Sequence, residues 1–280
     1  MANARLSQSL RHLLNLRGAS AVPSPPISAL HTTFAATRDS VQTPGLKNAW
    51  LAIVTGTLLT VNSPDSIGHL YRFATRPVAG GDPSAPAPLK ERLAVAALMR
   101  EAGVKCGVFV GVPKTINGLA GLHQALEDDV KEGLPTTNPR NLASATTNQE
   151  NGLKLFKSVY DPHTEKLLAK LKSYHPDFAG WIVEHEYGAL LSNVPGHEHL
   201  SRTLTSAVAV ASLRASGGVG PQLVSHVYGL LKARGFDPET ETEDDHWLAS
   251  EDGARWVISV ADAISDTVVG PPVEQKRAKL

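Results

Sequence analysis

The chain has 280 residues, 42% of them apolar and 19% charged, and its 27 basic groups are balanced by 27 acidic ones. That length buries a substantial core, while the even charge offers no basic field for nucleic acid and no single-sign surface for an electrostatically captured partner. No uninterrupted apolar run is long enough for a membrane span, and the single cysteine, Cys106, excludes both an internal disulfide and a CxxC redox pair.

In chain order, residues 1–45 read as a targeting segment to be set apart from the fold, rich in Ser, Ala, Pro and Arg and without an acid before Asp39. Within it Arg5, Leu6, His12 and Leu13 follow R-L-x-x-x-x-x-H-L, which resembles the amino-terminal peroxisomal signal of thiolase-type enzymes. Arg5 and His12 are seven residues apart, nearly two helical turns, so one helix face would carry both, and likewise Leu6 and Leu13. The alternative is a mitochondrial presequence, which Arg5, Arg11, Arg17 and Arg38 also suit.

The body reads as all-α. SPDSIGHLYRFATR has Ser63 as N-cap, and PLKERLAVAALMREAG stops at Gly103. Cys106 follows in the apolar run GVKCGVFVGV, where it reads as a small buried hydrophobe. Residues 133–152 are polar, Thr/Asn-rich and poor in charge, as a surface loop would be. Two helical stretches split before Pro176, HLSRTLTSAVAVASLRASGG follows, and PQLVSHVYGLLKARG opens with Pro221 and closes at Gly235. ETETEDDH reads as a solvated acidic loop, and DGARWVISVADAISDTVVG is the last helix.

Two stretches repeat. AVAALMREAGVKCGVFVGV (94–112) lies over AVASLRASGGVGPQLVSHV (209–227) at a constant shift, each reading as helix, Gly-Val turn, helix. The expected organisation is a first copy over 46–135, a linker over 136–154, a second copy over 155–269 and a tail over 270–280. That tail ends in Ala278-Lys279-Leu280, a conservative variant of the SKL-type peroxisomal address. Two such signals place the chain in the peroxisome, with the mitochondrion as alternative.

The stretches YHPDFAGWIVEHEYGALLSN, SRTLTSAVAVASL and GGVGPQLVSHVYGLLKARG resemble the carboxymuconolactone decarboxylase and alkylhydroperoxidase D (AhpD-like) superfamily. The resemblance covers about 155–265 well, and the first copy more loosely, as in two-copy fungal members. It implies an all-helical, usually oligomeric fold, with the site near the second helix of the repeat. The peroxidases' C-x-x-C-x-x-x-H is retained only in part: Val219 and Gln222 stand at the cysteine positions ahead of His226. Dithiol peroxidase chemistry needs both sulfurs and is therefore excluded. A polar residue four before a histidine resembles the decarboxylase-like branch.

On a helical wheel His226 and Gln222 flank the core face of Leu223, Val227, Leu230 and Leu231, where a cavity wall would lie; a satisfied boundary histidine is the plain alternative. The expected chemistry is that of a peroxisomal lyase or decarboxylase-like enzyme acting on a small organic acid or lactone. His226 would be general acid/base, Gln222 would orient it, and Arg202 would anchor a carboxylate, with Glu184 or Tyr187 facing the substrate. Two alternatives stand beside it: an antioxidant peroxidase using Cys106 alone, and a non-catalytic helical oligomer that binds a ligand or partner. No cofactor is called for, because no Gly-rich nucleotide loop opens a βαβ unit. No metal site is expected from His185, His197 and His199, which lack ligand spacing. The expected partners are a small-molecule substrate, peroxisomal import receptors and further copies of the chain.

Overall fold

Helix α3 (Leu46–Thr60) is buried along almost its whole length, and much of the described chain packs around it. This is the behaviour of a segment apolar on every face. The computed structural model describes residues 5–16, 20–40, 46–76, 86–138, 140, 143–194 and 199–271. Among them there is no strand, so the fold is all-α, and no helix is long and apolar enough to cross a membrane. Ala278, Lys279 and Leu280 lie outside the described residues, as does His197.

Before α3 stand α1 (Gln8–Asn15) and α2 (Ile27–Arg38). The expectation that residues 1–45 stand apart fails at α2. Leu30 and Phe34 have no exposed surface, the Phe34 ring meets Trp50 and Phe73, and the Trp50 Nε1–H donates to Thr37 at 3.0 Å. Helix α1, in contrast, buries nothing. Its start also separates the proposed signal residues: Ser7 caps it by accepting from the Leu10 N–H, so Arg5 and Leu6 precede the first turn. They share no helix face with His12 and Leu13.

Around α3 pack α4 (Pro64–Thr75), α5 (Leu89–Val110), α6 (Val112–Ala125) and α11 (Arg202–Ser216), with α14 (Glu251–Val269) closing the far side. Helix α5 runs through Gly103, where a stop was expected. A Cβ there would come within 2.8 Å of Leu119, so this glycine admits α6 and does not end α5. The end comes at Gly111, with φ +84°, and Pro113 opens α6. Similarly α11 ends before Gly217 and Gly218, both at positive φ, and Pro221 opens α12 (Gly220–Leu231), which stops short of Gly235. The register read from sequence, with Gly-Val turns aligned, is therefore not the register of the turns. Matching turn to turn sets Pro113, Gly121 and Leu122 against Pro221, Gly229 and Leu230, and it sets Gly118, not Gly111, opposite His226.

Short α7 (Asp128–Gly133) leads to a segment whose polar composition suggested a linker. From Ala145 it is instead helix α8 (Ala145–Tyr160), capped by Ser144 accepting from the Thr147 N–H. Weak local propensity is overridden by tertiary contact. After α9 (Thr164–Tyr174) and the turn α10 (Phe178–Trp181) the backbone becomes a π-helix over Ile182–Leu191, and α8 lies directly against it. A Cβ on Gly152 would sit 1.9 Å from the Val183 carbonyl oxygen, and one on Gly188 would sit 2.0 Å from that of Asn148. Only glycine at both positions lets the two backbones touch. Leu155, Phe156, Val159, Val183, Tyr187 and Leu191 then form a second, smaller core beside the main one.

We expect Gly152→Ala to destabilise the protein by about 3 kcal/mol, because backbone cannot yield as a side chain would. Gly180→Ala, where nothing lies within 4 Å of the added Cβ, should be neutral or stabilising by up to about 1 kcal/mol. Urea unfolding of the two variants separates the cases, and equal midpoints would dismiss the close-approach account.

Candidate functional site

The seam between the two cores holds His226, which projects from α12 and is 6% exposed. Its Nε2 lies 3.2 Å from the Tyr160 hydroxyl at the end of α8, and that hydroxyl is 2.9 Å from the hydroxyl of Tyr187 on the π-helix. The Phe109 ring, near the end of α5, meets the imidazole edge-on with centroids 5.3 Å apart. Four helical segments thus converge on one imidazole. Burial, and then the charge of Arg202, lowers the His226 pKa to about 4, so the ring is neutral at pH 7. Burial also raises the pKa of both tyrosines, which keep their protons.

Arg202 opens α11 and is 6% exposed, not a surface arginine. Its Nε donates to Ser158 Oγ at 2.9 Å, Nη1 to Ser206 Oγ, and Nη2 to the carbonyls of Ser158 at 3.2 Å and Gly229 at 3.0 Å. A guanidinium has five N–H groups, so one on Nη1 is left over. All four acceptors are neutral. Burial brings Arg202 down to about 10, and Glu241, which pulls the other way, is occupied. The Glu241 carboxylate accepts from the backbone N–H groups of Gly235, Phe236 and Asp237 and contacts His246. The acidic run expected as a solvated loop thus walls, through Glu239, Thr240 and Glu241, an open cleft that Arg202 also borders. Thr242 and Asp245 form a reciprocal cap on α13 (Glu243–Leu248), and Asp245, itself buried, accepts from Ser201.

The cleft against the acidic run measures about 410 Å³ and is walled also by Thr203 and Asp237, and two further spaces meet at Arg202 on the side of the seam. One is a small cavity of about 10 Å³ beside His226, Tyr187 and Phe109. The other is an open cleft of about 200 Å³ bordered by Lys154, Asn193, Phe236 and Asp237. Leu155, Leu191, Arg202 and Thr205 line both and form the partition between them.

Of the residues singled out from sequence, the structure brings together His226, Tyr187 and Arg202. Gln222 does not join them. The first turn of α12 extends beyond the packed seam, so Gly220, Pro221 and Gln222 are exposed, and His226 is the first residue of that face to be covered. Glu184 is half-buried and lines none of these spaces, with His185 Nδ1 3.8 Å from its carboxylate. Sequence reading missed its neighbour Glu186, whose carboxyl burial raises to about 7 and whose charge is felt by both tyrosines. Tyr160 and Phe109 gave no signal. Lys105 did, as the one charged residue in GVKCGVFVGV: it is 1% exposed, and its Nζ donates to Asn193 Oδ1 at 2.7 Å and Thr205 Oγ1 at 3.0 Å. Cys106 has no exposed surface, and burial raises its thiol to about 11, which opposes the lone-thiol peroxidase reading. Among the described residues no three His, Cys, Asp or Glu side chains gather as metal ligands.

No family model matches the chain, and no solved structure matches it. Among curated proteins it is similar to Peroxisomal protein 2 of Saccharomyces cerevisiae, 26% identical over 245 residues, which span 70% of this chain and 85% of that protein. It is also similar to Peroxisomal protein 2 of Schizosaccharomyces pombe, 29% identical over 133 residues, spanning 48% of this chain and 59% of that one. In keeping with both likenesses and with the expectation from its termini, the protein is peroxisomal.

The buried neutral imidazole makes folding sensitive to acid. Unfolded, His226 takes up a proton near its ordinary value of 6.5; folded, it does so only at about 4. The unfolded state binds more protons between those values, so stability is complete above about pH 6.5 and falls as the pH drops towards 4, by roughly 3 kcal/mol. In His226→Gln the fall in unfolding free energy between pH 7 and pH 4 should shrink by that amount. Denaturant titrations at the two pH values check this, and an unchanged difference would mean that the imidazole is solvated.

Proposed function

We propose that the chain is a peroxisomal enzyme of the carboxymuconolactone decarboxylase-like type, acting on a small organic acid or lactone. The observation that carries the reading is the guanidinium of Arg202. It is buried, bonded only to neutral acceptors, and set between an open cleft and a neutral histidine. A buried positive charge is costly unless an anion faces it, and a substrate carboxylate supplies one. The cleft is small for a ligand site, which suits a compact acid. The resemblance of the second half to the decarboxylase-like branch points the same way.

In this reading the substrate enters the cleft and its carboxylate neutralises Arg202. The charge that holds His226 unprotonated is thereby offset, and the imidazole becomes a better base. The space beside it is at the lower limit for one water molecule, which would carry a proton across the partition. Tyr160 and Tyr187 extend the chain of exchangeable protons away from the cleft. When a carboxylate leaves as CO₂, the carbon–carbon bond breaks and its electron pair stays on the substrate carbon. That carbon takes a proton from His226, which is neutral in the free protein and acquires that proton from solvent once the bound carboxylate offsets Arg202. A shifted double bond uses the same group, first as base and then as acid.

Incubation of a small-acid metabolite extract with wild type and with His226→Ala, followed by mass spectrometry, tests the reading. We expect a product, with CO₂ where a carboxylate is lost, that forms at least about 100-fold more slowly in the variant. Equal product formation by the two proteins would remove His226 from the mechanism. Absence of any product from wild type at high protein concentration would favour a non-catalytic binder.

A further inference from the structure

Four buried threonines, Thr55, Thr57, Thr60 and Thr75, dispose of their hydroxyl protons in one way, donating to the carbonyl four residues earlier in their own helix. This is the ordinary outcome for a threonine inside a helix. Thr205, one turn into α11, is different. Its backbone N–H reaches Ser201, but its Oγ1 is turned sideways to accept from Lys105, and among the described residues nothing accepts its proton. Thr205 also lines both the open cleft and the inner cavity, as Arg202 does. Two polar hydrogens therefore stand unused at the partition: the Thr205 hydroxyl and the remaining Nη1–H of Arg202.

We infer that a carboxylate binds between these two groups, with one oxygen accepting from Thr205 and the other from Arg202, and that Lys105 is the positioning residue behind them. This rests on the reading of the cleft as an organic-acid site. Lys105 donates to Thr205 Oγ1, which leaves the hydroxyl proton free for the ligand. It also donates to Asn193 Oδ1, whose amide in turn donates to the Leu200 carbonyl at 2.9 Å and ties down the wall after the π-helix. A hydroxyl that accepts from an ammonium is a stronger donor, because the two hydrogen bonds polarise one another. The charge of Lys105 is only loosely matched: Glu101 approaches to 4.0 Å, but its carboxylate is shared with Arg140. Burial brings the ammonium down to about 7 against the pull of Glu101, so it too gains from a nearby anion. The arrangement selects for an ionised carboxylate over its amide or ester, which would present a donor or a methyl group where an acceptor is needed.

Formate is small enough to enter the site without filling the rest of the cleft, and formamide is its uncharged counterpart. Titration of the full chain with each, at constant ionic strength set by chloride and followed by the ¹⁵N–¹H signal of Arg202 Nε, tests the inference. Saturable binding of formate but not formamide is expected. Thr205→Val should weaken it about tenfold or more, and Lys105→Met about tenfold, while Thr205→Ser, which keeps the hydroxyl, stays within about threefold of wild type. Melting temperatures of the three variants identify any that fail to fold, and the serine variant keeps the test decisive if valine does. Formate affinity unaffected by Thr205→Val, or no saturable binding to wild type, overturns the inference. His226→Ala should bind formate like wild type while losing turnover. In wild type, turnover without saturable formate binding sinks this inference alone, and saturable formate binding without any turnover sinks the enzyme reading alone.

Discussion

The site depends on one buried guanidinium. From the first turn of α11, Arg202 reaches across to α8 through Ser158 and to α12 through the Gly229 carbonyl. These are the helices that carry Tyr160 and His226. Taking an arginine out of water costs several kcal/mol, and hydrogen bonds to neutral oxygens recover only part of it. An apolar side chain of similar volume at this position would be expected to give a protein at least as stable. The charge is thus poorly explained by stability alone, and well explained if a ligand completes it.

The same charge sets the state of the histidine. An imidazole at the ordinary value would be partly protonated at neutral pH; beside Arg202, and out of water, it is neutral. A neutral ring at the end of two phenols whose protons are secured is poised to accept a proton, yet it is a weak base until negative charge arrives. In the proposed reading, substrate and base would thereby be coupled through Arg202, since an anion that fills the cleft would also raise the basicity of the residue behind it. A solvated histidine would lack that coupling, because water would screen one charge from the other.

Much of the fold was legible in the sequence because much of it follows from local signals. Ser63 followed by Pro64 starts α4, positive-φ glycines end α11, and the apolar spacing of α14 matches its buried face. What was illegible depends on contact between distant segments. Gly103 has the appearance of a stop, but its lack of a side chain serves α6. The polar run before Leu153 has no helical signature of its own, and it is helical because Gly152 and Gly188 let it lie against the π-helix. Residues 27–38 have the composition of a leader and the position of a core helix. At the site, periodicity placed His226 on the correct edge. It misplaced Gln222 because a wheel has no end, whereas the covered surface of α12 begins only beyond its first turn. Lys105 was visible as a lone charge in an apolar run, but its partners Thr205 and Asn193 come from far along the chain.

The two helix pairs that meet at glycine–proline turns also show why the candidate site has no counterpart on α6. Counted from the turns, Gly118 on α6 has the register of His226 on α12, and a Cβ there would come within 3.1 Å of Leu59 and Ile67. Leu59 and Ile67 leave no room beside Gly118, whereas a small cavity and two phenols lie beside His226. A histidine cannot be accommodated at Gly118 without displacing the middle of the main core, whereas His226 lies at the margin between two cores, where packing is already interrupted. A cavity costs less at such a margin than inside a single close-packed core. The smaller core built by α8 and the π-helix thus does more than add a lobe, because it creates the boundary at which an imperfectly filled, polar space is tolerable.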